Sequence, residues 1–179
     1  MLKIRHNTFE SNSSSMHTLI RVPNQKTLDY LREQNYRDIP DIPADTKLIQ
    51  YSDDFYYGRN YCMLLESPLD KATYLITYYS YKSGAITVDH IPEARAILEE
   101  VQKTHPNFEG WVEAPDDGWY TMGCIDHQSL DILDGLTFEE VLATINDPEV
   151  VYIITSDEED LLYDMRDEGM LTEDDFVAR

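Results

Sequence analysis

One nearly continuous apolar run, from Glu149 to Thr155, most constrains how this chain can fold. Its central residues, Val150 to Ile154, lack the alternation of apolar and polar side chains that a half-solvated strand requires. A run of this kind is typical of a strand in the middle of a sheet. It is also far too short to cross a bilayer. We therefore expect these residues to form a central strand.

Helix boundaries are marked clearly at two places in the sequence. Ser67 is a capping residue followed by Pro68, which suits the first helical position, and Gly84 suits the end of that helix. Thr137 and Glu140 have the spacing of a capping box before another apolar stripe. Further helical patterns occur at residues 24–31, 92–101 and 156–165.

Strand-like runs occupy much of the remaining chain. Phe108 to Glu113 and Trp119 to Ile125 flank a turn sequence at residues 115–118, which predicts a hairpin. Because helices and strands interleave while a hairpin also occurs, we expect an α+β fold with a mixed, largely antiparallel β-sheet and helices packed on it. The prediction is a single domain over residues 1–179 with a loose tail from about Thr172. Other strands are predicted at Lys3–Asn7, Met16–Val22, Lys47–Tyr51 and Asn60–Leu65.

The charge of the chain is very unevenly distributed. The formal net charge is −21, and residues 109–179 contain 21 Asp and Glu against two Arg, whereas residues 1–108 are nearly balanced. No Lys or Arg occurs between Lys103 and Arg166. Such a surface repels nucleic acid and anionic membranes and attracts basic proteins. The acidic residues expected to bind a basic partner are Asp116, Asp117, Asp157, Glu158, Glu159, Asp160 and Asp164. Solubility alone is the alternative explanation for these charges.

The two cysteines and five histidines give no metal or disulfide pattern. Cys62 and Cys124 are far apart and lack a Cys-x-x-Cys spacing, so we expect two reduced, mostly buried thiols and a cytoplasmic protein. No His-x-x-x-His pair is present. We therefore expect no metal and no cofactor.

The segment from Phe9 to His17 combines serines, an asparagine and a histidine near the basic residues Lys3, Arg5 and Arg21. Hydroxyl groups and consecutive backbone N–H groups can bind an anion. One serine could instead be a nucleophile with a histidine as its base. The third interpretation is a tight structural loop. The candidate anion-binding residues are Arg5, Asn12, Ser13, Ser14, Ser15 and His17.

A second polar cluster, Asp126-His127-Gln128-Ser129, follows the predicted strand that ends at Ile125. Asp126 could orient the imidazole of His127, although adjacent residues on a strand point to opposite faces. The alternative is that Asp126 caps a helix while His127 is exposed. If the protein is an enzyme, the candidate catalytic residues are Ser13, Ser14, Ser15, His17, Asp126 and His127.

Three tyrosines of the helix that follows Ser67, namely Tyr74, Tyr78 and Tyr81, share a face at helical spacing. This face could be packed in the core or partly exposed at a protein interface. Stacking on nucleic-acid bases is a further use of exposed aromatic rings, but no basic groove accompanies these tyrosines.

Residues Asn7 to His17, with the sequence Asn-Thr-Phe-Glu-Ser-Asn-Ser-Ser-Ser-Met-His, resemble the N-terminal signature Asn-x-Phe-Glu-Thr-Asn-Ser-Ser-Ser-x-His of small bacteriophage and prophage proteins. Ser11 replaces the usual Thr, and Asp126 to Ser129 also looks like a segment of such proteins. The resemblance implies viral origin. Some small, acidic phage proteins inhibit bacterial defence, including anti-CRISPR proteins, and such an inhibitor could present carboxylates where an effector nuclease binds phosphates.

Three functions follow as hypotheses. The first is a phage-encoded inhibitor that mimics nucleic acid on a bacterial defence complex in the host cytoplasm and needs no catalysis. The second is a hydrolase, nuclease or group-transferase that uses the Ser13–His17 loop with Asp126, His127 and Gln128. The third is a phage structural or assembly factor, for which a large homo-oligomer is expected.

Overall fold

The computed structural model of the protein describes residues 15–37, 39–52, 54–58, 62–85, 87–113, 123–125, 132–156 and 161–178. The helices are α1 (Gln25–Gln34), α2 (Pro68–Ser83), α3 (Ala94–Val101), α4 (Phe138–Ile145) and α5 (Leu161–Asp167). The strands are β1 (Ser15–Arg21), β2 (Leu48–Tyr51), β3 (Tyr56–Tyr57), β4 (Cys62–Leu65), β5 (Gly110–Glu113), β6 (Cys124–Ile125), β7 (Val150–Ser156) and β8 (Phe176–Ala178). Short 3₁₀ turns lie at Val88–His90 and Glu173–Asp175.

The main sheet has the strand order β4-β7-β1-β8, and every neighbouring pair is antiparallel. β7 lies between β4 and β1, with Ile153 opposite Thr18 on one side and opposite Leu64 on the other. Residues Val150 to Ile154 are all buried. The apolar run at 149–155 is therefore a central strand, as predicted.

Helices cover both faces of this sheet. Alternate residues of β7, including Tyr152 and Ile154, join the apolar cluster that contains residues of α2, α3 and α4. Val151 and Ile153 join a second cluster with residues of α1 and α5. Two packed layers on an antiparallel sheet explain why β7 has no polar face. This arrangement confirms the predicted α+β fold.

Helix α2 begins and ends where the sequence predicts. The Ser67 side chain accepts a hydrogen bond from the Asp70 backbone N–H at 3.1 Å. Gly84 has a left-handed φ of 70°, which ends the helix at little conformational cost. Eleven of its sixteen residues are buried, including Tyr74 and Tyr78, whereas Tyr81 is 40% exposed. The tyrosine face is therefore mostly core, because α2 is packed on several sides.

The structure does not describe residues 119–122, most of the second strand of the hairpin predicted between residues 108–113 and 119–125, so this hairpin stays a prediction. β5 pairs with β2 and β6 pairs with β3, and both pairs are parallel. The indole N–H of the buried Trp111 in β5 donates to the hydroxyl of Thr73 in α2 at 3.0 Å, so tertiary packing holds this strand. The turn sequence that predicted the hairpin, residues 115–118, lies outside the described residues.

The C-terminal segment after Thr172 supplies an outer strand of the main sheet. β8 pairs with β1, and Ile20 lies opposite Phe176. The partly buried Phe176 packs against the apolar cluster on the α5 side. Burial of this ring stabilises the packing of β8 on the sheet.

Cys62 in β4 is buried and is not part of a disulfide. None of the helices in the described ranges combines the length and the apolar character needed to span a membrane.

Candidate functional site

Helix α5 places one apolar side toward the sheet and one acidic side toward solvent. Leu161, Leu162 and Met165 are buried against β1, β4 and β7, whereas Asp164 and Asp167 are exposed. The buried positions follow the helical spacing that the sequence predicted. The helix therefore points carboxylates away from the core.

The chain turns back to the sheet directly after α5. Gly169 has a φ of 72°, and the Met170 N–H donates to the Met165 carbonyl at 2.8 Å, as in a helix-ending turn that uses a left-handed glycine. The Thr172 backbone N–H and hydroxyl then donate to the Asp175 carboxylate at 2.7 and 2.8 Å. Asp175 therefore stabilises this local turn.

Five other carboxylates of this segment are exposed, and we call them the acidic surface. Four of them have no Lys or Arg within ion-pair distance in the described part of the chain, whereas Glu173 pairs with Arg166. Arg166 is the single cation among residues 161–178. The negative charge here is therefore mostly uncompensated. The acidic surface comprises Asp164, Asp167, Glu168, Glu173 and Asp174.

Aromatic side chains lie beside the acidic surface. The Arg166 guanidinium carbon is 6.0 Å from the centre of the Tyr163 ring and 6.0 Å from the centre of the Phe176 ring. Cation–π attraction and the ion pair with Glu173 hold the Arg166 side chain in place. Tyr163 is 56% exposed, so an aromatic ring is available to a partner within the acidic surface.

Three carboxylates elsewhere in the acidic half, those of Asp134, Asp147 and Glu149, are neutralised by cations from the first half of the chain. Arg21 lies 3.0 Å from Asp147 and 2.9 Å from Glu149, and Lys82 lies 2.7 Å from Asp134. The hydrogen bond with Asp147 is the main cause of a raised pKa for Arg21. The sequence did not reveal these pairs, because the partners are 52 to 128 positions apart.

A buried lysine donates hydrogen bonds to the backbone near Asp147. Lys71 of α2 is 1% exposed, and its ammonium donates to the backbone carbonyls of Asp147 at 2.8 Å and Thr144 at 3.3 Å. Burial lowers the pKa of Lys71 to about 8. These bonds satisfy carbonyl groups at the end of α4, so Lys71 has a structural role. The sequence around Lys71 does not indicate this role.

His17, the candidate base or anion ligand, is an interior residue. It lies on the side of β1 that faces α2, it is 4% exposed, and its Nδ1 atom is 2.8 Å from the Tyr74 hydroxyl. The Tyr74 ring packs edge-on against Tyr57 and Tyr152. Burial raises the pKa of the Tyr74 hydroxyl well above its ordinary value. The imidazole thus belongs to a buried aromatic cluster.

A second buried polar group joins the segment before β2 to helix α2. Arg37 donates to Asp70 at 2.6 Å, and the Ser67 hydroxyl donates to the same carboxylate at 2.7 Å. Burial opposes the charged form of Arg37, but the hydrogen bond to Asp70 and the nearby negative charges together outweigh burial and raise the pKa of Arg37. Sequence reasoning missed this pair, whose members are 33 positions apart. Asp70 is engaged at the start of α2, so the pair stabilises the fold.

Few of the sequence-predicted site residues fall within the described structure. Asp164 is exposed in α5, His17 is buried, and Ser15 begins β1 opposite Ser156. No group of three His, Cys, Asp or Glu side chains suited to a metal occurs in the part of the chain that is described. The candidates outside the described residues are Arg5, Asn12, Ser13, Ser14, Asp116, Asp117, Asp126, His127, Gln128, Asp157, Glu158, Glu159 and Asp160.

Comparison of the chain with protein-family models, with curated proteins and with solved structures found no match.

Proposed function

We propose that this protein binds a basic protein surface through the acidic surface of the α5–β8 segment, and that it thereby inhibits a bacterial nucleic-acid-binding defence nuclease as a nucleic-acid mimic. The observation that carries the proposal is the set of exposed carboxylates without cations at Asp164, Asp167, Glu168 and Asp174. Uncompensated charges produce a field that reaches basic partners, whereas paired charges largely cancel.

The spacing of these carboxylates supports binding to cations. Asp164 and Asp167 are three residues apart in α5, a separation at which side chains lie about 5–6 Å apart on one helix face, and Glu168 directly follows the helix. A row of negative groups on a rigid helix can contact several Lys or Arg side chains together. Such contacts accelerate association and favour basic partners over acidic ones.

The identity of the partner rests on two further arguments. Residues 7–17 resemble a signature of small phage and prophage proteins, some of which inhibit bacterial defence. CRISPR effector nucleases hold nucleic acid in positively charged channels, which an acidic protein could cover. Inhibition by this route requires no catalytic group in the inhibitor.

The proposal is tested with matched charge variants and a purified CRISPR effector nuclease loaded with its guide RNA. One variant neutralises the acidic surface, and the control neutralises the same number of exposed carboxylates elsewhere. We expect wild type and control to inhibit target cleavage alike, and the acidic-surface variant to bind at least about tenfold more weakly at low salt. The first variant is D164N/D167N/E168Q/D174N, and the control is D45N/D89N/E109Q/E139Q.

Two outcomes would contradict the proposal. Equal binding by the two variants would show that the acidic surface is not the contact. Binding of the wild type that is unchanged between low and high salt would show that charge does not drive the association.

A further inference from the structure

A small recess opens between α5 and the paired strands β1 and β8. Its volume is about 40 Å³, which is room for a short side chain or a few water molecules. Its wall is largely apolar and comes from three separate segments of the chain. The lining residues are Met16, Thr18, Leu162, Tyr163, Arg166 and Phe176.

Thr18 gives this recess a polar group that the fold does not use. The residue is 1% exposed, and its hydroxyl has no hydrogen-bond partner among the described residues. β1 alternates between the two faces of the sheet, so Thr18 points toward α5 while His17 and Leu19 point toward α2. A buried hydroxyl without a partner destabilises a protein, and valine would have the same shape without this cost.

The remaining wall of the recess is held in place before any partner binds. Arg166 lies over both the Tyr163 and Phe176 rings and pairs with Glu173. Leu162 is buried against the sheet. Aromatic and arginine side chains in well-packed pockets often contribute most of the binding energy of a protein interface. A pocket that is already formed also lowers the entropy cost of binding.

The acidic surface adjoins this recess, since Glu173 pairs with Arg166, which lines it. Asp164 directly follows Tyr163, and Asp167 directly follows Arg166. A side chain that enters the recess therefore belongs to a segment whose neighbouring residues face carboxylates. Charge complementarity requires those neighbours to be Lys or Arg.

We infer that the recess receives a serine or threonine side chain of the basic partner, which bonds to the Thr18 hydroxyl while flanking Lys or Arg residues contact the acidic surface. This inference rests on the proposed function and specifies the peptide chemistry that the acidic surface recognises. The small volume excludes an aromatic side chain, and the hydroxyl of Thr18 can both donate and accept a hydrogen bond.

The test uses fluorescent heptapeptides with three lysines on each side of a central residue. The central residue is threonine, valine or glycine, and binding to the full-length protein is measured by fluorescence anisotropy. Wild type should bind the threonine peptide roughly fivefold more tightly than the valine peptide, as expected for one additional hydrogen bond at a buried site. T18V should lose this preference and still bind all three peptides in a salt-dependent manner.

The outcomes separate this inference from the proposed function. Equal affinity of the wild type for the three peptides, with binding that still falls with salt, would overturn the recess inference alone. Equal binding of these peptides by wild type and D164N/D167N/E168Q/D174N would contradict the acidic surface itself. The preference of the wild type among the peptides decides the question even if T18V fails to fold.

Discussion

Two parts of the acidic half differ in what surrounds their carboxylates. Asp134, Asp147 and Glu149, around α4 and the start of β7, contact Lys82 or Arg21. The acidic surface on α5 and the following turn has one cation, Arg166, for five carboxylates. The sequence assigns both regions to the same long stretch of negative charge, so net charge along the chain does not measure the charge that a partner meets.

The cause of the difference is the strand order. β1 lies beside β7 with Arg21 opposite Val150, which brings a cation of the first half next to Glu149. Among the described strands, β8 has only β1 as its neighbour in the sheet. Position in the sheet therefore explains why Arg21 neutralises Asp147 and Glu149, whereas the pair of Lys82 with Asp134 comes from the packing of α2.

The largest expected effect concerns Lys71, which supports the neutralised region. K71M removes the bonds to the carbonyls of Asp147 and Thr144 and should lower the free energy of unfolding by about 2 kcal/mol at neutral pH. Urea denaturation monitored by circular dichroism measures this change. An unchanged denaturation midpoint would mean that these bonds do not stabilise the fold.

The pH dependence of the same variant sharpens this prediction. Burial lowers the pKa of Lys71 to about 8 from 10.5, so the unfolded chain binds the proton more tightly than the folded chain. The free energy of unfolding should therefore rise between pH 8 and pH 10.5 in wild type relative to K71M, and the contribution should be constant below pH 8. A difference between the two proteins that does not change over this interval would contradict the assignment.

Neutralising the two carboxylate regions should change the free energy of unfolding in opposite directions, and both changes should be smaller than that of K71M. D134N/D147N/E149Q removes ion pairs and should lower the free energy of unfolding by about 1 kcal/mol. D164N/D167N/E168Q/D174N removes repulsion between like charges and an unfavourable position of Asp167 at the end of α5, so it should raise the free energy of unfolding by about 0.5–1 kcal/mol. Thermal melts at low salt compare the two, and changes of the same sign would mean that the regions do not differ electrostatically.

The smallest expected effect is the response to salt. Raising the salt concentration from about 0.05 M to about 0.5 M screens repulsion on the acidic surface and should stabilise wild type by a few tenths of a kcal/mol. The acidic-surface variant should respond less than wild type. An equal response of the two proteins would place the repulsion elsewhere in the chain.

Local sequence signals predicted the helices and the central strand well. Ser67, Pro68 and Gly84 mark the two ends of α2, and Thr137 with Glu140 forms the predicted capping box of α4. These features depend on atoms within a few residues of one another. For that reason the sequence alone specifies them.

Pairing between distant segments was much harder to predict. The parallel pairs of β5 with β2 and of β6 with β3 join segments more than 60 residues apart, and no sequence pattern indicated them. Tyr74 and Tyr78 share a helical face that the sequence left as either core or interface, and packing places both in the core. In each case the deciding contacts join residues that no local pattern connects.

The candidate site shows the same limit. The sequence identified Asp164 and the acidity of its surroundings, but it did not identify the Thr18 hydroxyl or the contacts of Arg166 with Tyr163 and Phe176. The sequence of a strand does not show whether the hydroxyl of a threonine has a hydrogen-bond partner. That property appears only when α5 covers β1.

The sequence by itself determined the helix ends, the buried character of β7 and the excess of carboxylates in the second half, because short-range hydrogen bonds, hydrophobicity and composition are properties of the chain. The tertiary structure decided which carboxylates acquire cations and which remain exposed. The physical reason is that ion pairs and recesses form between segments, and their partners are set by strand order and by packing across the sheet.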